Sequence, residues 1–262
     1  MSTLVLSTWS LPGSKALAEA AKQLGWRVYA FDDNPQAKPR GKVVFYGGTD
    51  QALAIATRFH LALLEPPFDL LAQLPVEFRR RTVEFVRFAD ISRLKARTFA
   101  KPADPLNKCF DPGIYGSVHE IRAPKGVNAH SPVLLAEPVE WSAEFRCFIK
   151  DGEVFAWSPY ISFGRPVWKP FAPGTLATEI PANLLLFCRR LFSQSGLLFP
   201  PAFVMDVGLI DNRGWAVVEF NPAWCSGILG ADPRKVLYVL ERASQDQCRL
   251  RLSDCSWLRD KG

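Results

Sequence analysis

The spacing of apolar positions changes character along this chain. Leu4, Val5 and Leu6 form a short apolar run. After the turn Leu11-Pro12-Gly13, Ala, Leu and Lys recur at helical spacing over residues 14–24, and Gly25 ends that pattern. Residues 26–31 and 43–46 are again short and apolar. Strand, helix and strand in that order predict the start of a parallel α/β sheet. Residues 50–59 read as a helix with Asp50 as its N-cap, and a further helix follows Glu65-Pro66-Pro67. Residues 75–88 read as another helix, with Arg79, Arg80 and Arg81 spread over several of its faces.

Past that point short strands dominate: residues 98–101, 133–137, 144–150 and 153–160. Asp151-Gly152 between the last two reads as a hairpin turn. A helix is expected over 181–195, strands over 202–210 and 215–220 joined by Asp211-Asn212-Arg213-Gly214, and a closing helix over 233–243. The change of pattern places a boundary between residues 67 and 88, giving an expected division into 1–80 and 81–262. No internal repeat or low-complexity segment interrupts the chain.

Composition narrows the class. A chain of 262 residues with 48% hydrophobic and 22% charged residues has the make-up of a globular protein, long enough for one large domain or two small ones. The net charge of +6 suits an anionic ligand such as a nucleotide, as it would suit nucleic acid or simple solvation. The six cysteines form no CxxC pair, which excludes zinc-finger spacing and reads as reduced, mostly buried thiols of a cytoplasmic protein. No run approaches the ~18 apolar residues that span a bilayer, so membrane insertion is not expected. Cys225 has none of the three histidines (His60, His119, His130) near it in sequence, so it reads as a loop thiol rather than a nucleophile.

Candidate chemistry lies in the second half. Asp206 interrupts one apolar strand, and Glu219 and Asn221 interrupt the next, across the four-residue turn. Glu219 and Asn221 are two apart, so their side chains share a face. Two carboxylates and an amide oxygen are hard ligands suited to Mg²⁺ held partly by phosphate oxygens. An ionised group within an apolar strand also requires a compensating cation.

Upstream, Phe99-Ala100-Lys101-Pro102 is an apolar strand ending in a lysine that can neutralise phosphate. Lys108 follows, and Asp111-Pro112-Gly113-Ile114-Tyr115-Gly116 reads as a flap whose amides can cover phosphates. The strand 133–137 runs into Glu137, Pro138 and Val139, and Glu144 opens the next strand seven residues after Glu137. Backbone at that hinge can read an adenine edge, and Glu144 can accept ribose hydroxyls. Arg146 lies on the face of Glu144, able to pair with it or to reach phosphate. Trp157, Trp168 and Trp224 are candidate walls of a substrate pocket, as well as candidate core.

Together these motifs resemble the ATP-grasp superfamily, its RimK-like side in particular: Lys101-Pro102, Glu137-Pro138-Val139 with Glu144-Phe145-Arg146, and Asp206 with Glu219-Phe220-Asn221. The resemblance spans about residues 88–243. It implies a small N-terminal parallel α/β domain followed by a two-lobed ATP-grasp fold, an α/β (α+β) class overall. By the same resemblance Lys101 is the second ATP-site lysine, residues 137–139 the hinge, Glu144 the ribose acid, and Asp206, Glu219 and Asn221 the metal ligands. Lys101, Lys108 and Arg146 would offset charge during phosphoryl transfer. ATP and Mg²⁺ are the implied cofactors. The implied partners are small-molecule or peptide carboxylates and amines, not a membrane or nucleic acid. The implied reaction is ADP-forming carboxylate–amine ligation through an acylphosphate. A phosphotransferase on the same scaffold, or a non-catalytic nucleotide- or RNA-binding module, is the alternative. The family's first ATP-site lysine has no plain counterpart; Lys95, Lys108 or an upstream arginine such as Arg81 stands in its place, and the flap is poorer in glycine than the family's phosphate loop.

Overall fold

The computed structural model describes residues 1–7, 11–31, 39, 41–94, 97–107, 109–162, 165–166 and 179–258. The first strand, β1 (Ser2–Leu6), leads into helix α1 (Ser14–Gln23), then β2 (Arg27–Ala30) and β3 (Lys42–Tyr46). They make a parallel sheet of order β2-β1-β3. Helix α1 buries Leu17, Ala20 and Ala21, the stripe its periodicity predicts. Helix α2 (Thr49–Arg58) follows, then β4 (Leu61–Leu63). Gly48, not Asp50, holds the N-cap position of α2; Asp50 sits in the first turn, where its charge complements the helix dipole.

The expected helix over 75–88 is a correction. Only the single turns α3 (Leu70–Gln73) and α4 (Val76–Arg79) are helical. Arg80 turns left-handed, at φ 48°, and Val83–Arg87 becomes strand β5. The β-branched Thr82, Val83 and Val86 favour a strand, and β8 supplies the partner that periodicity alone does not reveal.

Strands β6 (Thr98–Pro102), β7 (Gly113–Tyr115) and β8 (Pro132–Ala136) join β5 in an antiparallel sheet of order β5-β8-β6-β7. Next come β9 (Trp141–Lys150), β10 (Glu153–Ser162) and the two-residue β11 (Arg165–Pro166). Asp151 and Gly152 both take positive φ, 49° and 81°, the geometry of the expected tight hairpin. Helix α5 (Ala182–Gln194), β12 (Ala202–Ile210), β13 (Gly214–Asn221), α6 (Pro233–Ala243) and β14 (Ser244–Asp246) complete the elements that position the site. The larger antiparallel sheet runs β11-β10-β9-β12-β13, and β14 pairs with β4. Among the described residues no helix is long and apolar enough to cross a membrane.

Three apolar cores hold these layers. One joins the parallel sheet, α1 and α2 to α6, Trp224 and one face of the large sheet. A second lies between the other face of that sheet and α3, α4 and α5. The third covers the small sheet around Ala100, Phe110, Val133 and Leu135. All six cysteines are free, but only Cys109, Cys147 and Cys188 are buried; Cys225 is half-buried and Cys248 and Cys255 are exposed.

Candidate nucleotide and metal site

The carboxylates meet because β12 and β13 pair in antiparallel register, with Asp206 directly opposite Glu219. Directly opposed residues in such a pair point to the same face. Register on β13 shifts between Glu219 and Val217, leaving Val218 as the extra residue of a β-bulge. Asn221, two further on, gives its Nδ2 to Glu219 Oε1 at 2.7 Å. Glu219 also pairs with Lys101, which reaches it from the small sheet.

Asp206 has no exposed surface, so its charge must be met within the fold. Arg146 on β9, opposite Asp206 in the ladder, meets it with a two-pronged bond: Nε to Oδ1 at 2.9 Å and Nη2 to Oδ2 at 2.7 Å. Nη1 of Arg146 donates to the Gly227 carbonyl at 3.2 Å, and Nη2 lies 4.0 Å from Glu219 Oε1. Burial pushes the Asp206 carboxyl above its usual range; Arg146 opposes that and adjacent Glu219 adds to it. Burial acts in the same upward sense on Glu219, but Lys101, Arg146 and the Asn221 amide outweigh it and hold that carboxyl low. The pair is thus split, one proton-seeking and one firmly ionised.

Glu144 and Arg146 share a face but do not pair with each other, which corrects one of the two expectations for Arg146. Glu144 is buried and accepts a hydrogen bond from the Tyr160 hydroxyl. The guanidinium of Arg146 lies over the Tyr160 ring, 5.6 Å from its centroid. Burial raises the Glu144 carboxyl, and the Tyr160 bond counters it in part. Tyr160 therefore touches both predicted side chains. Sequence reading missed it, because one aromatic residue in an aromatic-rich strand carries no distinguishing signal.

The segment 137–140 links β8 to β9 and so connects the two antiparallel sheets. Glu137 pairs with Arg213 at 2.7 Å, and Pro138 and Val139 are half-buried. Lys108, Trp168 and Lys95 fall outside the described residues. Lys101, Arg146, Glu219 and Asn221 line a cleft of about 420 Å³ whose other wall includes Leu11, Gly48, Thr49 and Asp50 from the N-terminal sheet and helix. Asp104, Cys225 and Ser226 complete its rim.

The donor set suits a hard divalent cation. An ionised carboxylate offers about four lone-pair sites, and Arg146 uses two of those on Asp206. Among the described residues no cluster of three or more His, Cys, Asp or Glu side chains forms, so the set is two carboxylates and an amide, with room for phosphate oxygens.

The three adjacent arginines prove to have separate posts. Arg79 donates to the Ala72 and Val83 carbonyls. Arg80 Nε donates to the Trp215 carbonyl at 2.9 Å. Arg81 is buried, donates to the carbonyls of Val217 (2.7 Å), Val218 (2.9 Å) and Arg79 (3.0 Å), and lies over the Trp141 ring at 5.0 Å. Burial lowers its pKa to about 10, which leaves it charged at neutral pH.

Comparison with known proteins matches this arrangement. A family model for the ATP-grasp domain, the second family of its clade, matches residues 78–239. No curated protein sequence matches the chain. Among solved structures, D-cycloserine synthetase DcsG is similar with a TM-score of 0.55 and 19% identity, over 91% of this chain and 98% of that one. N5-carboxyaminoimidazole synthetase from Staphylococcus aureus gives 0.53 and 12% identity, over 92% and 77%. A RimK domain ATP-grasp protein from Sphaerobacter thermophilus gives 0.50 and 14% identity, over 93% and 98%. At these identities the likeness is one of fold.

Proposed function

This chain belongs to the ATP-grasp domain family, and on that premise we propose that it is an ADP-forming ligase that activates a carboxylate for attack by an amine. The observation that carries the reading is the convergence of Asp206, Glu219 and Asn221 on one face of the large sheet with Lys101 arriving from the small one. In this reading main chain at 137–139 holds the adenine edge and Glu144 accepts from the ribose hydroxyls. Lys101, Arg146 and Lys108 neutralise the phosphates. Mg²⁺, held by Asp206, Glu219 and Asn221, would supply charge stabilisation on the phosphate oxygens.

The substrate carboxylate attacks the γ-phosphorus of ATP, releasing ADP and forming an acylphosphate; the amine then forms the amide and expels phosphate. The wall at Gly48, Thr49 and Asp50 borders the space where the acid and amine, small molecules or peptides, would meet. We propose a cytoplasmic protein with an N-terminal unit over 1–80 and the ATP-grasp unit over 81–262. The test is product analysis with Mg-ATP and pools of carboxylic acids and amines. ADP and inorganic phosphate should form in equal amounts and require both pools. A phosphorylated product without free phosphate means a phosphotransferase, and AMP with pyrophosphate rejects the reading.

A further inference from the structure

Two apolar residues of β13, Trp215 and Val217, pack into the core beneath the large sheet, and so does Phe220. Their spacing is two and then three. In a regular strand that keeps Trp215 and Val217 inward, Glu219 would follow them into the core and Phe220 would face the cleft. The bulge at Val218 reverses this parity. Asp206–Glu219 and Val204–Asn221 thereby share the cleft face, while Val207–Val217 and Met205–Phe220 share the core face. The metal set exists only because one residue is looped out.

A looped-out residue disrupts the ladder and leaves main-chain groups seeking partners. Strand β13 is an edge strand, and the carbonyls at issue, those of Val217 and Val218, are the two that Arg81 takes in its fork. Trp141 supports the guanidinium from one side and itself rests on Gly208, where an added Cβ would come within 2.3 Å of the ring. Arg80 holds the next edge carbonyl along, that of Trp215. A planar fork can span two neighbouring carbonyls at fixed geometry, and a lysine ammonium cannot.

We propose that Arg81 is a positioning residue: it clamps the bulge and so keeps Glu219 and Asn221 turned toward Asp206. It is not the cation that stands in for a missing phosphate-binding lysine. The metal-binding half of this inference rests on the function proposed above; the clamp itself does not.

The experiment compares the full-length wild type with Arg81→Lys and Arg81→Met. Calorimetry measures Mn²⁺ affinity of the ADP complex, and ADP affinity separately in chelator. Hydrogen exchange follows the amides of residues 216–221. Both variants should lose about tenfold or more in Mn²⁺ affinity, as expected when a group orienting metal ligands is removed. They should exchange faster across the bulge, and should bind ADP in chelator within about twofold of wild type. A purely stabilising role would lower the folded fraction but not the affinity of the molecules that remain folded.

Wild-type Mn²⁺ affinity in Arg81→Lys overturns the proposal, since charge alone would then suffice. So does unchanged exchange, or a loss of ADP affinity in chelator as large as that with Mn²⁺, which would mark a phosphate ligand. If Arg81→Met fails to fold, Arg81→Lys decides. If the wild type binds no Mn²⁺ with ADP, the functional reading fails by itself, and the exchange comparison still decides the clamp.

Discussion

Replacing Arg146 with methionine in the metal-free protein isolates how the fold tolerates Asp206. That carboxylate is wholly buried, and Arg146 holds both of its oxygens while remaining only 16% exposed itself. Breaking such a buried pair from one side costs about 3–5 kcal/mol, because the remaining charge is stranded. The stranded group has an escape, which is to take up a proton. For an aspartate of ordinary pKa near 4, that escape costs about 1.4 kcal/mol per pH unit, or roughly 4 kcal/mol at pH 7. The loss is thus capped, and about 3 kcal/mol is expected. For a chain of this size that lowers the melting temperature by roughly 6–12 °C.

The sign with pH follows from the same group. Without Arg146 the folded-state pKa of Asp206 lies further above its unfolded value, so the penalty is full at pH above that pKa and fades as pH falls toward the unfolded value. Thermal melts in chelator at pH 7.5 and pH 5 should therefore show the gap between wild type and Arg146→Met narrowing in acid. Adding Asp206→Leu to Arg146→Met should recover part of the loss. A gap that widens in acid, or a double variant less stable than Arg146→Met, would refute the reasoning.

Lys101→Ala should weaken ATP by more than it weakens adenosine, measured by calorimetry with Mg²⁺ present; equal weakening would make the lysine a support for Glu219 alone. Tyr160→Phe should keep the ring beneath Arg146 but release Glu144, so the advantage of ATP over 2′-deoxy-ATP and 3′-deoxy-ATP should shrink. The same change removes a bond that lowers the Glu144 pKa, so the acid limb of nucleotide affinity should move to higher pH. A limb that stays in place or moves to lower pH would separate Glu144 from ribose binding.

What could be read from sequence follows from where the information sits. Helices α1, α5 and α6 and the hairpin at Asp151-Gly152 are encoded by local periodicity and turn residues, and they lie where that pattern places them. The meeting of Asp206 with Glu219 was legible because two strands joined by a short turn must pair. The segment 75–88 was not legible: its preference for a strand depends on β8, some fifty residues away in sequence. The parity break on β13 was visible in the spacing of Trp215, Val217 and Phe220, but reads as a bulge only once the core face is known. Tyr160 and Arg81 act through contacts that no local pattern encodes.

The two walls of the cleft are held by different physics. Immediately after Asn221 the chain is locked to the N-terminal sheet. Trp224 packs on Phe45 with ring centroids 5.9 Å apart, its carbonyl accepts from the Gly47 amide at 2.9 Å, and Ser244 Oγ accepts from the Phe45 amide at 3.1 Å. The wall at Gly48–Asp50 is therefore fixed to the metal strand through a shared apolar core, whose strength grows with area and does not depend on ligand charge. Lys101, in contrast, meets the same strand through an ion pair with Glu219, and the base of β5 meets it through the Arg80 and Arg81 bonds to edge carbonyls. Phosphate and metal would compete for that ion pair but not for the carbonyls. The arginine bonds can keep the edge of β13 in register while Lys101 exchanges Glu219 for phosphate, so a site whose charges must rearrange retains a fixed geometry.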